Sequence, residues 1–274
     1  SKPVHSLVAA VMHGIGAPSL LVDGSASPHT FALRPSQARA VHAADLFVRV
    51  SEAVEPFTQA LIRNLPPRVA VVTLIDAPGV HTLPVRRSAR FASGHEDHEH
   101  ATQSDHAHDH DHDHDGADGH IWLDPDNAKA IVTAVAQMLA ERDPANAARY
   151  RDNAATLTRR IDEMSVQLAS VLAPVKAKPF VVFHDATQYF ERRFGLDALG
   201  AIQFAPNVPP SAKRLSEIRA AIRDMHAQCV LAEPVMQSHV VDTVIDGTGA
   251  RVAVIDPEAL QLEPGPDLYV TLMR

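Results

Sequence analysis

Short, β-branched apolar runs alternate with segments of helical period along most of this sequence, and that alternation restricts the chain to a parallel α/β architecture. The runs are DLFVRV (45–50), RVAVVTLI (68–75), FVVF (180–183), ALGAIQF (198–204), CVLA (229–232) and VAVI (252–255). Nearly continuous apolar runs of this length suit strands buried on both faces, and strands so buried need helical crossovers between them. Two further short strands are expected, one at Val4 and one over 19–23. Helical spacing predicts helices over 7–15, 36–44, 54–64, 128–142, 188–194, 211–227 and 237–245.

One helical pattern is longer than a crossover requires. From 145 to 172, Tyr150, Leu157, Ile161, Met164 and Leu168 recur at three- and four-residue intervals before Pro174 ends the pattern. About 28 helical residues span roughly 40 Å, the reach of a strut. The expected fold is therefore α/β with two lobes, each a mostly parallel sheet flanked by helices, joined by one long backbone helix. The boundaries fall at 1–143 for the first lobe, 144–173 for the linking helix and 174–274 for the second lobe.

Between the lobe-forming segments lies HEDHEHATQSDHAHDHDHDHDGADGHIWL, in which histidines interleave with acids. The stretch 92–119 has too few apolar side chains to offset the entropy of ordering, so disorder is expected there. Imidazole suits zinc, copper, nickel and iron, which makes His95, His98, His100, His106, His108, His110, His112 and His114 candidate weak sites for borderline metals. A plain solvated spacer is the alternative, although spacers are commonly Gly/Ser-rich. The same stretch holds nine of the 33 acidic residues and no Lys or Arg. The formal charge of −8 thus belongs to the tract, and the nearly neutral remainder offers no surface for nucleic acid. No apolar run is long enough for a transmembrane helix and no signal peptide is recognisable, so the chain reads as a mature or trimmed product.

In parallel sheets, ligands bind outside the carboxyl ends of the strands, so the polar residue that closes each apolar run is the one to examine. FVVF ends in His184-Asp185, CVLA in Glu233-Pro234 and VAVI in Asp256-Pro257. The first half adds His29, in a loop after its strand, and His120, at the exit of the tract. Imidazoles and a carboxylate from two lobes can close a tetrahedral zinc site without thiolate. Asp256 and Glu233 each have a competing reading as a turn cap or an acceptor of backbone hydrogen bonds. His5, His13, His42, His81, His226 and His239 occupy ordinary positions and are taken as structural.

The segments KPVHSLVAAVMHGIG, SPHTFALRPSQARAVHAADLFVRV, HIWLDPDNA, FVVFHDATQYFERRFGL and CVLAEPVMQ, in that order, resemble the periplasmic zinc-binding proteins of bacterial ABC importers. These are the ZnuA-like group of the cluster A-I metal receptors. The resemblance implies a metal in the cleft between the lobes, ligated by His29, His120 and His184 with Asp256 as the available fourth partner and Glu233 behind them. It also implies Zn2+ as the bound ion, a membrane permease as partner, a periplasmic location, a monomer and no enzymatic activity. Related manganese receptors carry Glu where this chain has His184, so three nitrogens and one oxygen favour zinc on ligand type, without excluding copper, nickel or cobalt.

Two departures from the group stand out. Pro28 occupies the place where some relatives have a glutamate before the first ligand. Cys229 corresponds to a cysteine that in relatives can pair with one near the C-terminus, which here would lie beyond residue 274. Rival readings are a zinc hydrolase with a three-His centre and an adhesion protein with a structural metal; no HExxH motif supports the first.

Overall fold

Two apolar stripes that face each other build the larger core. The computed structural model describes residues 1–23, 26–86, 91, 116–203, 209–234 and 238–274. Helix α4 (Pro125–Arg142) buries Ala128, Ile131, Val132, Val135, Ala136 and Ala140, and α5 (Ala147–Leu172) buries Tyr150, Ala154, Leu157, Ile161, Met164 and Leu168. The α5 residues anticipated from their spacing all face inward. Helix α4 starts where Asp124 caps it by accepting from the Asp126 N–H (2.8 Å), with Pro125 at the first helical position. At 26 residues α5 is about 40 Å long. Helix α1 (Lys2–Val11) and the last helix, α9 (Leu268–Leu272), pack in the same core.

Every pairing between named strands is parallel. In the first half β1 (Leu46–Arg49) pairs with β2 (Ala70–Thr73), preceded by α2 (Pro35–Ala43) and separated by α3 (Phe57–Ile62). In the second half β3 (Phe180–His184), β4 (Ala198–Gln203), β5 (Cys229–Ala232) and β6 (Arg251–Val254) form a sheet of order β4-β3-β5-β6. The crossovers are α6 (Gln188–Phe194), α7 (Ala212–Asp224) and α8 (Ser238–Ile245). Gly195 ends α6 with φ of +66°, a conformation that a side chain would strain. The central strand β3 is buried along its whole length, which is why its sequence lacks polar alternation. The chain thus has the two-lobed α/β fold with a long joining helix.

Three local expectations need correction. Val4 lies inside α1, so no strand precedes that helix. Residues 19–23 form no ladder; Gln37 donates to the Leu21 carbonyl (2.8 Å), and Arg34 pairs with the Asp23 carboxylate (3.1 Å). The helix expected from residue 54 begins only at Phe57, since Pro56 disfavours helical geometry in the residue before it.

The last segment does not stay with the second sheet. Lys2, buried in α1, donates from Nζ to the carbonyls of Leu260 (2.8 Å) and Leu262 (2.9 Å), Trp122 Nε1 donates to Pro257 O (2.9 Å), and Tyr269 Oη donates to Trp122 O (2.8 Å). Residues 256–274 therefore return to the first half, and they bring the segment after β6 toward the ends of the other strands.

Candidate metal centre

The segments that leave the carboxyl ends of β1, β3, β5 and β6 converge on three imidazoles. His29 sits third in the turn Ser27-Pro28-His29-Thr30, closed by Thr30 N–H donating to Ser27 O (3.2 Å); Pro28 supplies the φ that the second position of such a turn requires. His120 follows Gly119, and the reason for that glycine is steric. A Cβ there would stand 2.3 Å from Val54 Cγ2 and 2.9 Å from Ser51 Oγ, both in the segment after β1. Gly119→Ala should thus push His120 out of register and weaken metal binding at least tenfold, readable by competition with a chromophoric chelator. His184 is the last residue of β3.

The imidazoles form one cluster. His29 Nε2 and His120 Nε2 are 3.1 Å apart, and the ring centroids lie 5.2 Å (29–120), 5.4 Å (29–184) and 5.1 Å (120–184) from one another. One ligand atom from each lies within 4.8 Å of the others, the one such group of three or more His, Cys, Asp or Glu among the described residues. His120 and His184 are buried, and His29 is partly open. Ligands 2.0–2.1 Å from a tetrahedral ion stand about 3.3 Å apart, so the His29–His120 separation needs little adjustment to accept one.

Three carboxylates border the cluster: Glu258, Glu233 and Asp118. Glu258, 3% exposed, places Oε1 3.5 Å from His29 Nε2 and accepts from Ser27 Oγ (3.0 Å). Glu233 places Oε1 3.5 Å from His184 Nδ1. Asp256 is spent elsewhere: its two oxygens accept from the backbone N–H groups of Leu260 and Gln261, both at 2.8 Å. The carboxylate that the turn after β6 presents to the imidazoles is therefore Glu258, two residues beyond the one expected. Sequence reading passed over it because only Asp256 directly follows the strand. A clue was there in Pro257, which stops the strand and allows a tight turn to aim a later residue inward. Ala259, fully buried with φ of +57°, completes that turn.

Asp118 was also missed, being the last of nine acids in the tract. It is buried, and His120 donates to its Oδ1 from both the backbone N–H (3.0 Å) and Nδ1 (2.7 Å). The eight tract histidines His95, His98, His100, His106, His108, His110, His112 and His114 lie outside the described residues. The residues flanking the tract do meet: Pro84 bridges Ala117, Val85 N–H donates to Gly116 O and Asp118 N–H to Leu83 O, both at 2.8 Å. Cys229 is a free thiol, and burial raises its pKa.

The electrostatics separate the three groups. Burial, then the neighbouring His120 and His184, holds the His29 pKa well below its usual value, against a hydrogen bond to the Ala53 backbone. Burial also works to lower His120, but Asp118, helped by Glu258 and Glu233, more than reverses it, and its pKa is raised. Burial, reinforced by Glu233, pushes the Glu258 carboxyl up to about 7 despite the opposing imidazoles.

The whole chain, residues 1–274, matches the family model described as zinc-uptake complex component A, periplasmic. The chain belongs to the ZnuA family. A high-affinity zinc uptake system protein ZnuA from Brucella abortus is 40% identical over 293 residues, covering all of this chain and 86% of that protein. The corresponding protein of Paracoccus denitrificans is 36% identical over 286 residues, covering 99% and 86%. A crystal structure of ZnuA superposes with a TM-score of 0.77 at 23% identity, covering all of this chain and 94% of the other, which establishes the shared fold. Among the described residues no helix is long and apolar enough to cross a membrane.

Proposed function

We propose that this protein binds Zn2+ reversibly through His29, His120 and His184, with Glu258 as the fourth ligand and Glu233 supporting His184, and passes the ion to the permease of an ABC importer in the periplasm. The observation that carries the reading is the convergence of imidazoles 91 residues apart in sequence at 3.1 Å, with buried acids around them. Three nitrogens and one oxygen suit a borderline divalent cation. The site does capture without chemistry, in a monomer, and needs no nucleic acid. The lobe boundaries are assigned at 143/144 and 173/174, with 256–274 packing back onto the first half.

The eight tract histidines act as weak auxiliary collectors. In support of this, the tract histidines stand 6 (His114) to 25 (His95) residues before His120 in the sequence. A tether that short keeps any ion held by the tract at about millimolar effective concentration near the cluster.

Zinc titration of chelator-stripped protein across pH tests the proposal. Bound imidazole must be neutral and the carboxylate ionised, so protons compete with the ion. The raised pKa of His120 and the Glu258 carboxyl near 7 mean that both carry protons in part of the metal-free population at pH 7. Binding should therefore release protons, and affinity should fall steadily as pH drops from 8 to 6. Calorimetry in buffers of different ionisation enthalpy counts the protons, and the same titration separates one tight site from weaker ones. A tight affinity unaffected over that range would exclude this ligand set. Glutamate beside three imidazoles is also a hydrolytic pattern; steady turnover of an activated ester by the zinc-loaded protein would favour that reading instead.

A further inference from the structure

Asp118 has more partners than an acid in a solvated tract should have. Besides taking both hydrogen bonds from His120, it donates its N–H to Leu83 O (2.8 Å), and its carbonyl accepts from Tyr189 Oη (2.6 Å). Tyr189 Oη in turn accepts from the Leu83 N–H (3.0 Å). With its amide nitrogen turned toward them, Gln188 donates to Asp118 Oδ2 (3.2 Å) and to Pro84 O (3.1 Å). Gln188 and Tyr189 open α6, four residues after His184. A single run of covalent and hydrogen-bonded contacts thus leads from one proposed ligand, His184, through the first turn of α6 to Asp118 and on to another, His120.

We infer that Asp118 is a positioning residue for zinc binding: held by α6, it fixes the Nδ1–H tautomer and the ring plane of His120 so that the Nε2 lone pair faces the other imidazoles. An imidazole whose second nitrogen donates to a carboxylate is oriented and made a stronger donor, and removal of such a partner typically costs about 10- to 100-fold in metal affinity. The inference rests on the proposed ligand set and adds to it how one ligand is held ready before the ion arrives.

Zinc affinity is measured by chelator competition for the wild type, Asp118→Ala, Asp118→Asn and His120→Ala, together with 15N NMR of the histidine rings in the metal-free wild type. The expected result is an Nδ1–H tautomer at His120 and an Asp118→Ala affinity about 10- to 100-fold weaker. Asp118→Asn, which keeps an acceptor oxygen but loses the charge, should fall between the two. The Co2+-loaded Asp118→Ala protein should show an altered ligand-field spectrum, which a loss of packing alone would not produce. An Nε2–H tautomer in the wild type, or wild-type affinity in both Asp118 variants, overturns the inference. Should Asp118→Ala fail to fold, the tautomer and the Asp118→Asn affinity decide it. Wild-type affinity in His120→Ala would instead refute the ligand set itself, so the two failures are distinguishable.

Discussion

His29→Ala combined with His120→Ala should abolish tight zinc binding. Zinc bound by four protein ligands is held by about 10–16 kcal/mol, or about 3 kcal/mol for each ligand, so two lost imidazoles weaken affinity by roughly 10⁴-fold or more. Folding is checked on the same samples by circular dichroism, because His120 is buried and its removal leaves the Asp118 carboxylate without its side-chain partner. Single substitutions at the two acids sharpen the result. Glu258→Gln removes the negative charge 3.5 Å from His29 Nε2 and should lower affinity about tenfold or more, whereas Asp256→Asn should act on the stability of the turn through Leu260 and Gln261. Isothermal calorimetry against a chelator of known affinity measures all four proteins. Equal losses in the Glu258 and Asp256 variants would return the fourth ligand to open question, and an intact tight site in the double variant would dismiss the cluster.

Arg86→Met should be among the most destabilising single changes away from the imidazoles. The Arg86 guanidinium donates from Nε to both oxygens of Asp185 (3.1 Å each), from Nη1 to Glu191 Oε2 (2.7 Å) and from Nη2 to Glu191 Oε1 (3.1 Å) and Asp185 Oδ1. Thr187 Oγ1 adds a bond to Glu191 (2.6 Å), and the Phe91 ring stacks 3.7 Å from the guanidinium carbon. Both acids are buried, so losing their shared cation strands two charges out of water, at a cost of about 3–5 kcal/mol. For a chain of this size that corresponds to a fall in Tm of about 10 °C.

The pH dependence supplies the check on that cause. Burial already raises the Asp185 pKa, and Arg86 opposes the rise. Without Arg86 the folded-state pKa climbs further, and an acid raised by folding binds protons more tightly in the native state, so stability falls as pH rises through that range. The deficit of Arg86→Met should accordingly be larger at pH 8 than at pH 5. A deficit independent of pH would mean that lost packing, not stranded charge, is responsible.

Much of the architecture was legible because it depends on local periodicity. CVLA and the helix over 188–194 match β5 and α6 to the residue, and the α5 stripe needed only its three- and four-residue spacing. The expectation of burial on both faces holds for β3 and β4, whereas β5 is only alternately buried and β6, though as apolar in sequence, is exposed. Among the 17 histidines of the chain, the three that cluster stand out by position: they lie at a strand end and in loops, where parallel sheets turn residues toward a ligand.

The residues whose placement sequence reading missed depend on partners far away in sequence. Whether Asp256 or Glu258 faces the imidazoles is settled by a turn whose shape is held by Trp122 on Pro257 and Lys2 on Leu260, contacts across 135 and 258 residues. Asp118 is indistinguishable from the other tract acids until Tyr189 and Gln188 fix it beside His120, and Arg86 looks like a surface cation until Asp185 and Glu191 close around it. Sequence by itself determined which elements form and which donor types are present. Tertiary packing alone decided which acid faces the imidazoles and which acid accepts from His120, because a side chain's direction at a turn follows from contacts that no local spacing encodes.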